Sequence, residues 1–366
     1  MNSSADDAAP DPTTPRSRRR RIGRFLRRLA LALLAGVLVL GGAGYLAKDR
    51  IVEAAIRKQV TAQPDPSFLK DDDHIRVLLC GTGSPELSAA TQACTLVAAG
   101  GRTFLFDAGE GSTKSLFRSE VDIERIDDVF LTHFHSDHFN GLGTLVNERW
   151  TWGATTKLTV TGPPGVRGLV DGLASAYRVD NGYRAEDMPR LAETEDAAAT
   201  AVGVPVRVPD GGSTRVYDEG GVTIDAVRVA HDPVDPAYGY VLTYAGKKVF
   251  VSGDTLVDPI TLPAMQDADL VIHEAYATHL VDRAIPIMRE EGEEFDAEVA
   301  ERTSEYHADT IALAKQAQEA GVQHLVLTHL IPYPNNIVQR RMFVSGMGDE
   351  FDGEITLGED GLLITV

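Results

Sequence analysis

The stretch Leu131-Thr132-His133-Phe134-His135-Ser136-Asp137-His138 decides how this chain is read. It ends a run of strand-forming residues, Asp128 to Thr132. His133 and His135 are two apart, so in extended chain their imidazoles point the same way. Asp137 and His138 come just after, where the chain can turn toward a helix. Four groups able to bind a metal therefore fall within six residues at a strand end. Imidazole together with carboxylate suits Zn2+, and also Mn2+ or Fe2+. Three of the chain's ten histidines stand in this one segment, a density that a chance polar loop does not explain.

Outward from it, further candidates follow strand-like runs. They are Asp107 in Phe106-Asp107-Ala108-Gly109-Glu110-Gly111, His231 in Ala230-His231-Asp232, Asp254 in Val251-Ser252-Gly253-Asp254-Thr255, and His329 in Leu327-Thr328-His329-Leu330. A lone histidine after a strand is usually a core or surface residue; the ordered series is what carries weight. Apolar, β-branched runs appear at 75–79, 94–98, 103–106, 128–132, 157–161, 222–229, 239–244, 248–252, 269–273 and 324–328. Helix-like stretches lie near 111–118, 164–178, 307–319 and 335–345. Ala99-Gly100-Gly101-Arg102 and Ala245-Gly246-Lys247 read as hairpin turns. Close strand succession with hairpins suits mixed sheets with helices outside better than a purely parallel sheet.

The spacing His-x-His-x-Asp-His resembles the signature of the metallo-β-lactamase superfamily, and the resemblance covers most of 74–366. It implies an α/β fold, an αββα sandwich of two mixed β-sheets flanked by helices. It implies one metal on His133, His135 and His231, a second on Asp137, His138 and His329, and Asp254 bridging the two. Two zinc ions per chain are expected, with Mn2+ or Fe2+ as substitutes. Such a pair can share a hydroxide that attacks the substrate while the metals polarise it. Asp107 is a candidate partner for a ligating histidine's second N–H.

Cys80-Gly81-Thr82-Gly83-Ser84-Pro85 resembles the opening of the ribonuclease Z and metal-dependent arylsulfatase branch. His273-Glu274-Ala275 and Glu305-Tyr306-His307-Ala308-Asp309 resemble two further loops of that branch. The resemblance makes His307 the proton donor, oriented by Glu274, and counts Asp137 with them as catalytic. Core packing for His273 and an N-cap cluster at 305–309 are the plainer readings of these segments.

Of 366 residues, 43% are hydrophobic and 24% charged, which is ordinary globular composition. Residues 1–50 carry ten of the 35 Lys/Arg and four of the 54 Asp/Glu, so the remainder holds 25 against 50, a net −25. Phosphate binding needs basic surface, so nucleic acid is not expected as a partner. Eight arginines precede Leu29 to Ala47, nineteen residues without a charge. A helix of that length spans roughly the ~30 Å hydrocarbon core. The expected organisation is a basic cytoplasmic tail (1–24), a transmembrane anchor in the inner membrane (25–47), a linker (48–73) and an extracytoplasmic hydrolase domain (74–366). A cleaved export signal is the competing reading, giving a soluble exported form.

Cys80 and Cys94 lie on neighbouring strand-like runs, and a buried free thiol is expected over a disulfide. Trp150 and Trp152 are candidates for the cleft wall, with core packing the slightly favoured alternative; Arg178, Tyr183 and Arg184 are candidates for anion contacts, with plain surface placement an equal alternative. The acidic stretch 282–305 is expected to be a solvated helix face rather than a lid. The expected activity is hydrolysis of a phosphodiester or sulfate ester on a small anionic substrate. Alternatives are lactonase, thioesterase or β-lactamase chemistry, tRNA 3′ processing as in ribonuclease Z, and a non-catalytic metal-binding module. A homodimer is left open.

Overall fold

The computed structural model describes residues 33, 45–58, 68, 70, 72–85 and 89–366. The chain divides into two compact units, 1–63 and 64–366. In the first, residues 45–58 are helical and expose Ile51, Val52 and Ile56. Among the described residues no helix is long and apolar enough to cross a membrane. The proposed anchor, 25–47, lies outside the described residues except for Leu33 and 45–47.

The second unit holds two seven-stranded mixed sheets with helices on their outer faces. In the first sheet, β1 (Arg76–Gly81), β2 (Cys94–Ala99) and β3 (Arg102–Phe106) pair antiparallel. Then β4 (Asp128–Phe130), β5 (Leu158–Gly162) and β6 (Ala201–Pro205) add parallel to β3. Helices α1 (Ser112–Arg118), α2 (Ser136–Phe139), α3 (Leu142–Trp152), α4 (Val166–Asp187) and α5 (Pro189–Ala198) interrupt these strands in sequence.

The second sheet starts as a meander of β7 (Ser213–Glu219), β8 (Val222–His231), β9 (Val234–Tyr244) and β10 (Lys247–Val251). After the short α6 (Leu262–Met265), β11 (Leu270–Tyr276) joins parallel. Next come α7 (Thr278–Glu291), α8 (Glu294–Thr303) and α9 (Thr310–Glu319). They lead to β12 (His324–Ile331), α10 (Ile337–Phe343) and β13 (Glu354–Leu357), both strands parallel to β11. The last strand, β14 (Leu362–Thr365), crosses back to pair with β1 in the first sheet.

Alternation along the strands explains the layering. In β1, Val77 and Leu79 face the inner core with Phe104, Phe106, Tyr240 and Ile272. Leu78 and Cys80 face outward, onto a layer containing Leu116 of α1 and Leu142 of α3. Phe250, Leu325 and Leu327 do the same against Leu313 and Ala317 of α9. Strands covered on both faces carry near-continuous apolar runs, which is why their sequences were legible. The expected hairpin at 245–247 is a tight turn in which Ala245 and Gly246 both have positive φ (49° and 79°), as a two-residue hairpin loop requires.

Two expectations are corrected here. Cys80 and Cys94 form a disulfide between β1 and β2 rather than buried free thiols. The strand before the metal-binding segment ends at Phe130; residues 131–135 lie outside it, although Leu131 N–H still donates to Thr161 O and Thr132 O accepts from Tyr238 N.

Candidate metal centre

Every candidate ligand lies just beyond, or at the end of, a strand on one edge of the sandwich. β4 leads into His133 and His135, and α2 carries Asp137 and His138. His231 closes β8, Asp254 follows β10, and His329 lies near the end of β12. Close backbone approach holds the segment in place: Ala108 N–H donates to His138 O and Gly141 N–H to Ala108 O, each at 2.8 Å. Gly109 is required there, because a Cβ would stand 2.1 Å from Asp137 O.

Donor atoms of His133, His135, His231 and Asp254 lie within 4.8 Å of one another, as do those of Asp137, His138 and His329. Asp254 Oδ2 stands between the groups. It is 3.2 Å from His138 Nε2, 3.4 Å from His329 Nε2, 3.8 Å from His133 Nε2 and 3.9 Å from His231 Nε2. His329 Nε2 is 3.0 Å from Asp137 Oδ2.

Neighbouring groups set the tautomers. Asp107 Oδ2 accepts from His138 Nδ1 at 2.7 Å and from Thr132 Oγ1 at 2.9 Å. Thr132 Oγ1, having given its proton to Asp107, accepts from His133 Nδ1 at 3.0 Å. His231 Nδ1 donates to Tyr306 O at 3.0 Å. Each of these histidines thus turns its Nε2 toward the centre. Asp107 and His329 hold left-handed backbone (φ 59° and 45°), a conformation costly for side chains with a Cβ and typical of constrained sites.

These residues fit divalent metals. Among the described residues, buried His133 Nε2, His138 Nε2 and Asp254 Oδ1 have no hydrogen-bond partner, an arrangement that costs stability unless a cation satisfies it. Five imidazoles with two carboxylates suit Zn2+ and do not exclude Mn2+ or Fe2+. Burial pushes His133 well below its ordinary value, keeping it neutral. Burial opposes charge on Asp254, but the His138 and His329 imidazoles hold its carboxyl well below the usual range. His138 is lifted well above its ordinary value, against burial, by Asp254 and Asp107; that negative field is what a bound cation would neutralise.

The family profile described as anti-Pycsar protein Apyc1 matches residues 75–329. The chain belongs to this family, within the metallo-β-lactamase superfamily. It is 33% identical over 290 residues to a protein named ribonuclease Z from Mycobacterium sp. (strain KMS), covering 78% of this chain and 94% of the relative. A ribonuclease Z of Mycobacterium avium (strain 104) is 32% identical over 293 residues, covering 78% and 96%. Among solved structures, the metallo-β-lactamase fold protein YhfI from Bacillus subtilis superposes with TM-score 0.58 at 19% identity, covering 80% of this chain and all of that one. The short form of human tRNase Z gives TM-score 0.56 at 23% identity, covering 79% and 98%. The Apyc1-family chain is accordingly a hydrolase of this superfamily, consistent with its ribonuclease Z branch.

Within this member, His307 sits beside the donor cluster, its ring centroid 5.4 Å from His329 and 5.3 Å from His231. Its Nδ1 donates to Glu274 Oε1 at 2.8 Å. The same oxygen accepts from the backbone N–H of Thr255 and Ala308, each at 3.1 Å. Burial works against a charge on His307, but the Glu274 carboxylate outweighs it and raises the imidazole to about 9. Asp309, not His307, caps α9, accepting from Ile311 N and Ala312 N. His273 is fully buried, its Nδ1 on Glu274 O at 2.8 Å, so at this position the packing reading holds.

A cleft of about 730 Å³ opens from His135, Asp137, His307 and His329. Its far wall comes from α7 and α8, through Val281, Ala284 and Met288 on one helix and Val299, Ala300 and Thr303 on the other. For the tryptophans the core-packing reading holds at Trp150, which is buried with Nε1 donating to Thr194, while Trp152 stands 60% exposed against Phe117. Neither lines the cleft. Arg178, Tyr183 and Arg184 lie exposed on α4, with Arg184 paired to Asp180, and also stand away from it.

The sequence reading missed the α7–α8 wall. Its signal was present as apolar residues at 281, 284 and 288, the spacing of one helix face, but the surrounding acids masked it. Thr132 and the Tyr306 carbonyl were missed as well.

Proposed function

We propose that this chain is a metal-dependent hydrolase of phosphodiesters, using the donor groups of His133, His135, Asp137, His138, His231, Asp254 and His329. The observation that carries the proposal is the His307–Glu274 pair, buried and aimed at the cleft directly beside that donor set. Two divalent cations bound there would act as Lewis acids and lower the pKa of water. His307 supplies the proton that the departing alkoxide needs, and Glu274 holds its ring in the required orientation. Asp107 and the Tyr306 carbonyl keep His138 and His231 turned inward.

The relatives named ribonuclease Z support a phosphodiester over the sulfate and carboxylic esters. They also favour a second reading, tRNA 3′ processing, against which the net −25 of residues 51–366 weighs. The Cys80–Cys94 disulfide supports placing the domain in an oxidising, extracytoplasmic compartment, together with the apolar segment 29–47.

The test is the zinc-loaded full chain on bis(p-nitrophenyl) phosphate, p-nitrophenyl sulfate and a precursor tRNA with a 3′ trailer, with His135→Ala as control. Phosphodiester turnover that disappears in the control is expected. Turnover confined to the sulfate, or undiminished activity in the control, overturns the proposal. Accurate trailer removal would establish the tRNA reading.

A further inference from the structure

The walls of the cleft differ sharply in chemistry. One side presents the metal-ligating groups and His307. The other is apolar, built from α7 and α8. Among the described residues no lysine or arginine lines it, and its one charged group away from the donor cluster is Asp296. The helix pair is anchored from below by Tyr276 Oη, which donates to Ala300 O at 2.7 Å. Arg289 of α7 ties it from outside, contacting both Glu301 oxygens at 2.8 Å. Two cations of these helices are engaged with carboxylates, Arg289 with Glu294 and Glu301 and Arg302 with Glu298, and the third, Arg283, is exposed and is not among the residues that line the cleft. Glu290, Glu291 and Glu293 are exposed where the two helices meet.

A phosphodiester held at the donor cluster must place the rest of its leaving alcohol along this wall, because His307 lies where the two sides meet. A second phosphate on that alcohol would find no cation there, only Asp296 and an acidic surround, and like-charge juxtaposition in a cleft is strongly unfavourable. An uncharged alcohol with an apolar or flat face would instead cover Met288, Val299 and Val281.

Resting on the phosphodiester reading above, we infer that the α7–α8 wall is a leaving-group subsite selecting phosphodiesters with a single phosphoryl group and an uncharged, apolar-faced alcohol. Polyphosphorylated chains are excluded by the absence of cations. In the step itself, the oxygen of water forms the new bond to phosphorus. The bond from phosphorus to the leaving oxygen breaks, the His307 proton passes to that oxygen, and the proton lost by the attacking water goes to solvent, from which His307 is reprotonated.

The experiment uses the zinc-loaded full chain with three substrates. Bis(p-nitrophenyl) phosphate tests the phosphodiester reading alone. The dinucleoside monophosphate ApA and its doubly end-phosphorylated form pApAp differ only in flanking phosphates, whichever oxygen leaves. Expected is a kcat/KM for pApAp at least about tenfold below that for ApA. In Val299→Lys, at a half-exposed wall position that tolerates a long side chain, the gap should close to within about threefold as pApAp improves. Equal cleavage of ApA and pApAp by the unaltered chain overturns the inference while leaving the phosphodiester reading standing. Unchanged discrimination in both Val299→Lys and Met288→Lys overturns the assignment of the wall. No turnover of any of the three fails the underlying reading, and the inference with it.

Discussion

Asp107 illustrates how much of the centre rests on residues that would not touch a metal. Its carboxylate accepts from Thr132 N, Thr132 Oγ1 and His138 Nδ1. In Asp107→Asn the amide cannot accept from both Thr132 and His138, so the His138 tautomer is no longer held. Zinc affinity should fall about 10–100-fold, read by chelator competition, with the fold retained by circular dichroism. Glu274→Gln keeps an acceptor for Thr255 and Ala308 but removes the charge facing His307. It should lower kcat by roughly tenfold or more while leaving zinc content unchanged, which separates positioning of the acid from metal loss. The ligand residues were legible because metal chemistry demands particular side chains. The carbonyl of Tyr306 was not, since every residue has one, and only folding brings this one to 3.0 Å from His231 Nδ1.

At the scale of elements, the disulfide and the helix pair are the decisive pieces. Cys80 and Cys94 stand at the facing ends of β1 and β2, with Cα atoms 5.0 Å apart. The bond closes a loop with a sequence separation of 14, worth ~3 kcal/mol in the chain-entropy account. The double variant Cys80→Ser, Cys94→Ser should melt roughly 5–10 °C lower than the parent. Reducing agent should have the same effect on the parent and none on the variant. The choice between free thiols and a bond was undecidable from neighbouring strand-like runs, because it depends on register: Gly81 pairs with Cys94 across a bulge. The acidic run 282–305 shows a related limit. Its solvated face was foreseen, and its buried face was not, because a helix of mixed composition reveals its inner side only against a partner. Here the partner is the floor of Tyr276 and Ile331. Edge strands β6, β7, β13 and β14 escaped the reading because half-exposed strands carry weak apolar patterns.

For the whole molecule, bound metal and native fold are linked. The seven donor residues are drawn from four separate segments, so the unfolded chain has no comparable site. With zinc at about a hundred times its Kd, each site should add ~2.7 kcal/mol to stability. Chelation should therefore lower the melting midpoint as well as abolish turnover, and zinc should restore both; a midpoint indifferent to chelation would argue against metal at this centre. The C-terminus contributes over a similar distance. β14 seats the Asp360 side chain so that it accepts from Thr82 N at 3.0 Å and Thr91 N at 2.7 Å. Those contacts hold the loop that brings Ser84 and Pro85 to the cleft rim.

Local chemistry was determined by the sequence itself: which side chains can bind a metal, which runs form buried strands, and where charge is absent. Those properties belong to residues and their near neighbours, and side-chain type and period express them directly. Tertiary structure brings Asp254 between two histidine groups and Glu274 onto His307, as the family resemblance implied, and it alone decided that two cysteines are bonded and that an acidic helix pair shows an apolar wall to the cleft. Each of these is a contact between segments distant in the chain, and such contacts exist only once sheet order and register have been set.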